Sequence, residues 1–269
     1  MSNDPSQLPP SGVGPQAPPQ PLRAAVRVPQ VSPTVTYTLM GIIIFVFSLQ
    51  ALSVFIYGID LPAAIGLKAN SLISQGQVWR LFTPMFLHAS PDPQNLTSAL
   101  LHVGFNLYAL YVLGPGLERF YGHKRFLALF ILSGFAGNVL SFLFSTAPSL
   151  GASTAIFGMI GAEAVFLYQN REILGDSARQ GLRNVVVIAL INLFIGIAPG
   201  SNIDNWGHIG GLLGGVLFAW FAGPVLKVEG VFPSLSVVDQ RETGDVLRAG
   251  LSVGLLFTLL TAATIFLRK

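Results

Sequence analysis

Seven apolar runs, each near the length needed to cross a bilayer, follow Pro33. A helix needs about 20 apolar residues to cross a hydrocarbon core roughly 30 Å thick. The pattern therefore predicts an all-α membrane protein, a polytopic helical bundle. The runs cover about residues 35–57, 97–117, 124–145, 153–169, 184–199, 206–225 and 248–267.

The polar segments divide the chain into four parts. The first part holds nine of the 18 prolines and buries too little apolar surface to offset its ordering entropy, which predicts disorder. A transit peptide is a weaker alternative, because the only basic residues there are Arg23 and Arg27. The parts are a disordered tail (1–33), a six-helix core (34–226), a polar linker (227–247) that separates off the seventh span, and an additional C-terminal transmembrane helix (248–269).

Composition agrees with a membrane setting. Hydrophobic residues make up 52% of the chain and charged residues 10%, with mean hydropathy +0.63. Soluble domains carry roughly 25% charged residues. The absence of cysteine excludes disulfides, a thiol nucleophile and Cys-ligated metals. A net charge of +3 without a basic block gives no support for a nucleic-acid partner.

Lysine and arginine predict the orientation. With the N-terminus inside, the inner segments carry eleven basic residues and the outer segments four, Lys68, Arg80, Arg268 and Lys269. The positive-inside rule then places the N-terminus in the cytoplasm and the C-terminus outside.

This topology brings four polar residues to one membrane depth. Ser153 and His208 begin spans four and six at the outer surface, and His102 and Asn106 lie in the outer half of span two. A histidine inside a membrane is a functional candidate by default. The site is therefore predicted about one turn below the outer surface.

Each of these residues also has a structural interpretation. Ser153 could cap a helix, and His208 could be merely hydrogen-bonded in the bundle. His102 and Asn106 share one helix face at i, i+4 and could donate to an oxyanion. Three histidines at most, with Asp204 as the nearest carboxylate, make a poor zinc site, so we expect no metal and no cofactor.

Glycine spacing predicts that spans four and six pack closely. Gly207, Gly211 and Gly215 form one ridge on span six, and Gly158 and Gly161 offer a small face on span four. Close packing would bring His208 within hydrogen-bond reach of Ser153, which base activation of a hydroxyl requires.

Other ionisable residues receive weaker predictions. Asp204 could orient His208 in a triad, but a helix cap or loop role is favoured. Glu163 lies about 15 Å from Ser153 along the helix, too far for the chemistry, and is expected to be protonated or paired. His88 and His123 fall in connections, where a solvated role is expected.

Several ordered motifs resemble the rhomboid family of intramembrane serine proteases over about residues 35–226. They are GASTAIFG at Ser153, WGHIGGLLGG at His208, HVGFN at His102 and Asn106, VWRLFTPMFLH at Trp79 and Arg80, and LERFYGHKRF after span two. The interface anchor expected of Trp79 fits the family's membrane-embedded first loop, where the resemblance gives Trp79 and Arg80 structural roles.

The resemblance implies a six-helix core with a seventh helix appended. It implies a Ser153–His208 dyad without an essential acid, and an oxyanion hole from the Ser153 backbone N–H, His102 and Asn106. Gly151 would allow close backbone approach, and Phe157 would stack on His208.

Three departures from the family pattern are present. Phe157 stands where some members have tyrosine, so it can stack on His208 but offers no hydroxyl. Thr154 replaces a frequent glycine and could narrow the oxyanion site. SPDPQNLTSAL, between His88 and His102, lengthens the outer loop.

These features favour an intramembrane serine endopeptidase that cuts transmembrane protein substrates near the outer face, in a bacterial plasma membrane. The alternative is a non-catalytic chaperone or adaptor that binds client helices through the same glycine-rich faces. A transporter is less favoured, because Glu163 is the only clearly deep ionisable residue.

Overall fold

The computed structural model describes residues 26–27, 31–232 and 234–268. Most of the predicted disordered tail lies outside these ranges. Within them the chain forms nine α-helices: α1 (Thr34–Tyr57), α2 (Leu61–Gly66), α3 (Asn70–Ser74), α4 (Leu96–Phe144), α5 (Ser153–Gln169), α6 (Arg171–Leu174), α7 (Asp176–Ile197), α8 (Asn205–Ala222) and α9 (Thr243–Leu267). The short 3-10 helices Val78–Leu81 and Thr83–Phe86 precede α4, and three strands complete the fold: β1 (Val26–Arg27), β2 (Leu226–Val231) and β3 (Ser234–Asp239).

Helix α4 contains two of the predicted spans, joined at Gly122. Its 49 residues are about twice the number needed for one crossing. Gly122 has φ 72° and ψ 163°, a backbone conformation that glycine reaches without a Cβ clash. The kink divides α4 into α4a (96–121) and α4b (123–144), which match the second and third apolar runs.

Four helices in the described part are long and apolar enough to cross a membrane, namely α1, α4, α7 and α9. Helices α5 and α8 have 17 and 18 residues and occupy the centre of the bundle. Most residues of α5 are buried, whereas α7 buries only Ala178, Val185 and Ala189 within the described part. The predicted polytopic helical membrane fold is confirmed.

The central helices α4b, α5 and α8 touch through glycines. A Cβ on Gly211 of α8 would overlap the Thr154 carbonyl of α5, and one on Gly215 would overlap the Gly158 backbone. A Cβ on Gly210 would lie 2.7 Å from the Ala136 carbonyl oxygen of α4b. Backbone contact of this kind requires small residues, as the glycine spacing predicts.

The connection between α1 and α4 is ordered by buried cations. Arg80 is 4% exposed and donates to the carbonyls of Leu67 (2.9 Å) and Ala64 (2.7 Å). The indole of Trp79 donates to the Ile65 carbonyl. Lys68 is fully buried and donates to carbonyls in the α4–α5 loop. These bonds give each of the carbonyls a hydrogen-bond partner and hold α2 and the α4–α5 loop to this connection.

The segment predicted as a polar linker contains a β-hairpin. Strands β2 and β3 pair antiparallel, with Val228 opposite Val237, and β1 pairs parallel to β3. Arg125 of α4b bonds Asp239 of β3 at 2.7 Å, which fastens the hairpin to the bundle.

Helix α9 packs on the bundle against α4 and α8 rather than standing apart from the six-helix core. Its buried residues Ala249, Val253, Phe257 and Thr261 recur every fourth position and so form one face.

Candidate active site

Ser153 is the first residue of α5, and its hydroxyl does not cap the helix. Ala152 occupies the N-cap position without a side-chain hydrogen bond. Gly151, with φ +132°, turns the chain into the helix and donates its N–H to the Pro84 carbonyl at 2.9 Å. The Ser153 Oγ lies 2.9 Å from the His208 Nε2.

His208 is the fourth residue of α8 and is held on two sides. Its ring stacks on Phe157 with centroids 4.1 Å apart and an interplanar angle of 11°. Phe157 follows Ser153 by four residues, so both side chains lie on one face of α5. The His208 Nδ1 is buried without a hydrogen-bond partner in the described part of the chain. Ser153 and Phe157 thus contact the imidazole on two sides, and no described carboxylate forms a hydrogen bond with its Nδ1.

Asp204 caps α8. Its Oδ1 accepts the Gly207 N–H at 2.9 Å, and its Oδ2 bonds the Ser141 hydroxyl. Both carboxylate oxygens therefore have partners other than the His208 ring. The geometry favours the capping role over the triad role that the sequence also allowed.

His102 faces the same space as Ser153. Its Nδ1 accepts a long hydrogen bond of 3.4 Å from the Ala89 N–H, so in the neutral ring the proton resides on Nε2. A Cβ placed on Gly151 would lie 2.9 Å from that Nε2 and 3.6 Å from the Ser153 Oγ. Because Gly151 has no side chain, the space between the His102 Nε2, a potential hydrogen-bond donor, and the Ser153 hydroxyl stays open.

Asn106 lies one turn further along α4a and is 5% exposed. Its Nδ2 donates to the His102 carbonyl at 2.8 Å, which fixes the amide and leaves one N–H for another acceptor. The structure brings together Ser153, His208, Phe157, Gly151 and His102, whereas Asn106 adjoins this group through His102.

The Thr154 side chain packs among the central helices. A Cβ on Gly137 of α4b would lie 2.6 Å from the Thr154 Cβ, and one on Gly207 of α8 would lie 3.1 Å from its methyl group. The methyl group therefore fills the α4b–α5–α8 contact. Nothing in this geometry supports the expectation that Thr154 narrows the oxyanion site.

His88 does not have the solvated role expected of it. It is fully buried, and its ring meets the His102 ring edge-on with centroids 5.2 Å apart. Gln50 of α1 fixes its backbone, donating to the His88 carbonyl (2.8 Å) and accepting the His88 N–H (3.0 Å). The sequence signal for this contact was Gln50, a polar residue within an apolar span.

His123 is partly exposed, and its Nδ1 lies 2.5 Å from the buried Glu118 carboxylate. Glu118 also accepts the N–H groups of Val35 and Thr36, and so caps the first turn of α1. These residues join α1 to α4a at the end of the molecule opposite Ser153.

Glu163 lies away from Ser153, as expected. It borders a cleft of about 250 Å³ between α4a, α5 and the start of α7, and its Oε2 has no hydrogen-bond partner among the described residues. Among those residues no group of three or more His, Cys, Asp or Glu could hold a metal ion.

The family model for the rhomboid domain matches residues 75–225. The chain belongs to the rhomboid family. The matched rhomboid domain runs from the turn before the first 3-10 helix to the end of α8 and includes His102, Asn106, Ser153 and His208. Helix α9 lies beyond it.

Curated relatives agree with this assignment. The rhomboid protease GluP of Bacillus subtilis is 39% identical over 84% of this chain and 40% of its own length. The chloroplastic RHOMBOID-like protein 9 of Arabidopsis thaliana is 34% identical over 63% of this chain and 37% of its own length. The Bacillus subtilis protein YdcA is 30% identical over 70% of this chain and 87% of its own length. The chain thus spans about two fifths of the length of the first two relatives.

The burial of His88 predicts that the folded protein loses stability in acid. Burial, and next the neighbouring His102, lower the pKa of His88 from 6.5 to about 3, opposed by the Phe86 carbonyl. The unfolded chain therefore binds a proton that the folded rhomboid domain excludes, and stability is lost as pH falls from about 6.5 towards 3. The loss should reach about 2–3 kcal/mol at pH 4.5.

The measurement is unfolding in micelles at pH 8 and pH 4.5 for the wild type and His88→Phe. The aromatic replacement keeps the contact with His102 and removes the titration, so the wild type should lose more stability on acidification. An equal loss in both proteins would contradict this role of His88.

Proposed function

We propose that this rhomboid-family protein is an intramembrane serine endopeptidase with a Ser153–His208 dyad. The observation that carries the proposal is the 2.9 Å approach of the Ser153 Oγ to the His208 Nε2 inside a bundle of apolar helices. The named protease activity of GluP supports the reaction class.

Proton transfer within the dyad follows from this geometry. His208 accepts the hydroxyl proton as Ser153 attacks the scissile carbonyl, and then gives that proton to the leaving amine. Water hydrolyses the resulting acyl-serine ester. The Phe157 face, stacked on the imidazole, favours the imidazolium form that exists during both steps.

The developing oxyanion has three candidate donors. The backbone N–H of Ser153 belongs to the first turn of α5, where N–H groups lack intrahelical partners. The His102 Nε2–H faces the space left by Gly151, and Asn106 retains one free amide N–H. Donors fixed before the reaction stabilise the transition-state charge without reorganisation.

The substrate proposed for this site is a transmembrane segment of another membrane protein, cut near the outer face. The positive-inside bias supports a cytoplasmic N-terminus and an outward-facing site in a bacterial plasma membrane. Of the four basic residues assigned to the outer side, Lys68 and Arg80 donate to carbonyls within the fold, so they do not oppose this bias. A bound segment must unwind before cleavage, because a helix keeps its carbonyls hydrogen-bonded.

Fluorophosphonate labelling of the solubilised protein tests the nucleophile. The wild type should react, and Ser153→Ala and His208→Ala should each lose at least about 10³-fold in labelling and in cleavage of a model transmembrane substrate. Ser48→Ala, a hydroxyl bonded within α1, is the matched control and should react normally. A wild type that neither labels nor cleaves but binds transmembrane helices would favour the chaperone or adaptor function instead.

Substitution of Asp204 distinguishes a catalytic dyad from a triad. Asparagine retains the helix cap, so Asp204→Asn should keep activity within about tenfold of the wild type. Asp204→Ala removes the cap and should cost about 1 kcal/mol of stability. A fall in Asp204→Asn activity of several orders of magnitude, in protein of unchanged stability, would show that an acid is essential.

A further inference from the structure

A cleft of about 500 Å³ lies between the end of α8 and the beginning of α9, outside the catalytic group. Its α9 wall includes Asp245, Arg248, Ser252 and Leu256, which lie on one face and extend about 16 Å along the helix. The cleft therefore runs lengthwise from the start of α9 into the membrane-spanning part of the bundle.

The end of the cleft nearest the hairpin carries two guanidinium groups. Arg241 donates through Nη2 to the Trp220 carbonyl at 3.0 Å, and its Nε is buried without a partner among the described residues. Arg248 bonds Asp245 at 2.8 Å, and its side chain is 78% exposed. Exposed pairs of this kind contribute little stability, so an added anion can share Arg248. Among the residues that line the cleft, these two cations face one carboxylate, Asp245, while the Glu242 carboxylate caps the start of α9 beside them.

The rest of the cleft is apolar. Leu217 and Phe221 of α8 face Val253 and Leu256 of α9. Phe221 and Leu256 are 56% and 44% exposed, so this part opens towards the surroundings of the bundle. A charged end joined lengthwise to an apolar channel matches an amphiphile that lies along the membrane normal.

We propose that this cleft binds one anionic phospholipid of the inner leaflet. Its phosphate contacts Arg241 and Arg248, and one acyl chain lies between Leu217, Phe221 and Leu256. The exposed guanidinium of Arg248 supplies donors that a phosphate oxygen accepts, and Arg241 adds a second positive charge at this end of the cleft. An inorganic anion would leave the apolar wall uncovered. The excess of cations over carboxylates in the lining of the cleft favours an anionic headgroup over a zwitterionic one.

Lipid retention measured by native mass spectrometry tests this site independently of proteolysis. The full-length protein is exchanged into detergent containing equimolar dioleoyl phosphatidylglycerol and dioleoyl phosphatidylcholine. We expect the wild type to retain phosphatidylglycerol at least fivefold over phosphatidylcholine. Arg241→Gln and Arg248→Gln should each lower that preference at least threefold.

Arg179→Gln is the matched control. It removes the same charge from an 86% exposed arginine of α7 and should retain the wild-type preference. An equal loss of preference in all three variants would overturn the proposal, because lipid retention would then depend on net charge alone. Displacement of the lipid by millimolar inorganic phosphate alone would also overturn it, because the site would then be one for free phosphate.

A separate variant tests the apolar part of the cleft. Ser252 is exposed on the α9 wall, so Ser252→Phe fills the channel without entering the core. It should lower phosphatidylglycerol retention at least threefold while both arginines remain. Unchanged retention in Ser252→Phe would overturn the acyl-chain placement. Ser252→Phe still tests the site if Arg241→Gln fails to fold, because the wild-type Arg241 side chain bonds the end of α8.

Discussion

Backbone contact between α5 and α8 is the constraint on which the rest of the structure depends. At Gly211 and Gly215 the two helices approach so closely that a single methyl group would overlap the opposing backbone. In lipid no hydrophobic driving force holds two helices together. Close packing of this kind therefore supplies much of the attraction between α5 and α8. It also fixes the distance between the two helix starts, so that Ser153 and His208 meet at 2.9 Å across 55 residues of sequence.

The connections around this contact are held by buried polar side chains. Arg80 and Lys68 donate to loop carbonyls, and Gln50 holds the backbone at His88, whose ring supports His102. An unsatisfied backbone group would cost several kcal/mol in hydrocarbon. These bonds connect the loops around the serine, and the largely exposed helices α1 and α7 lie on the outside of the bundle.

The sequence predicted structural features well where a residue type has only a few structural roles. Apolar length predicted the polytopic helical fold, and glycine spacing predicted the α5–α8 contact that joins Ser153 to His208. It was less informative where contacts join distant polar residues. The Gln50–His88 contact spans 38 residues, and Gln50, a polar residue within an apolar span, signals a contact without identifying its partner. The hairpin and the packing of α9 were missed because segment 227–247 is polar, and polarity alone suits a linker as well as a strand exposed on one side.

Two glycine substitutions, compared in the fluorophosphonate reaction, test whether the α5–α8 contact sets the geometry of Ser153 and His208. Gly211→Ala places a methyl group against the Thr154 carbonyl, whereas Gly41→Ala in α1 meets nothing within 4 Å. If helix contact sets the dyad, folded Gly211→Ala should label at least tenfold more slowly than the wild type, and Gly41→Ala should match the wild type. Labelling of Gly211→Ala at the wild-type rate would show that the α5–α8 contact does not set the geometry of Ser153 and His208.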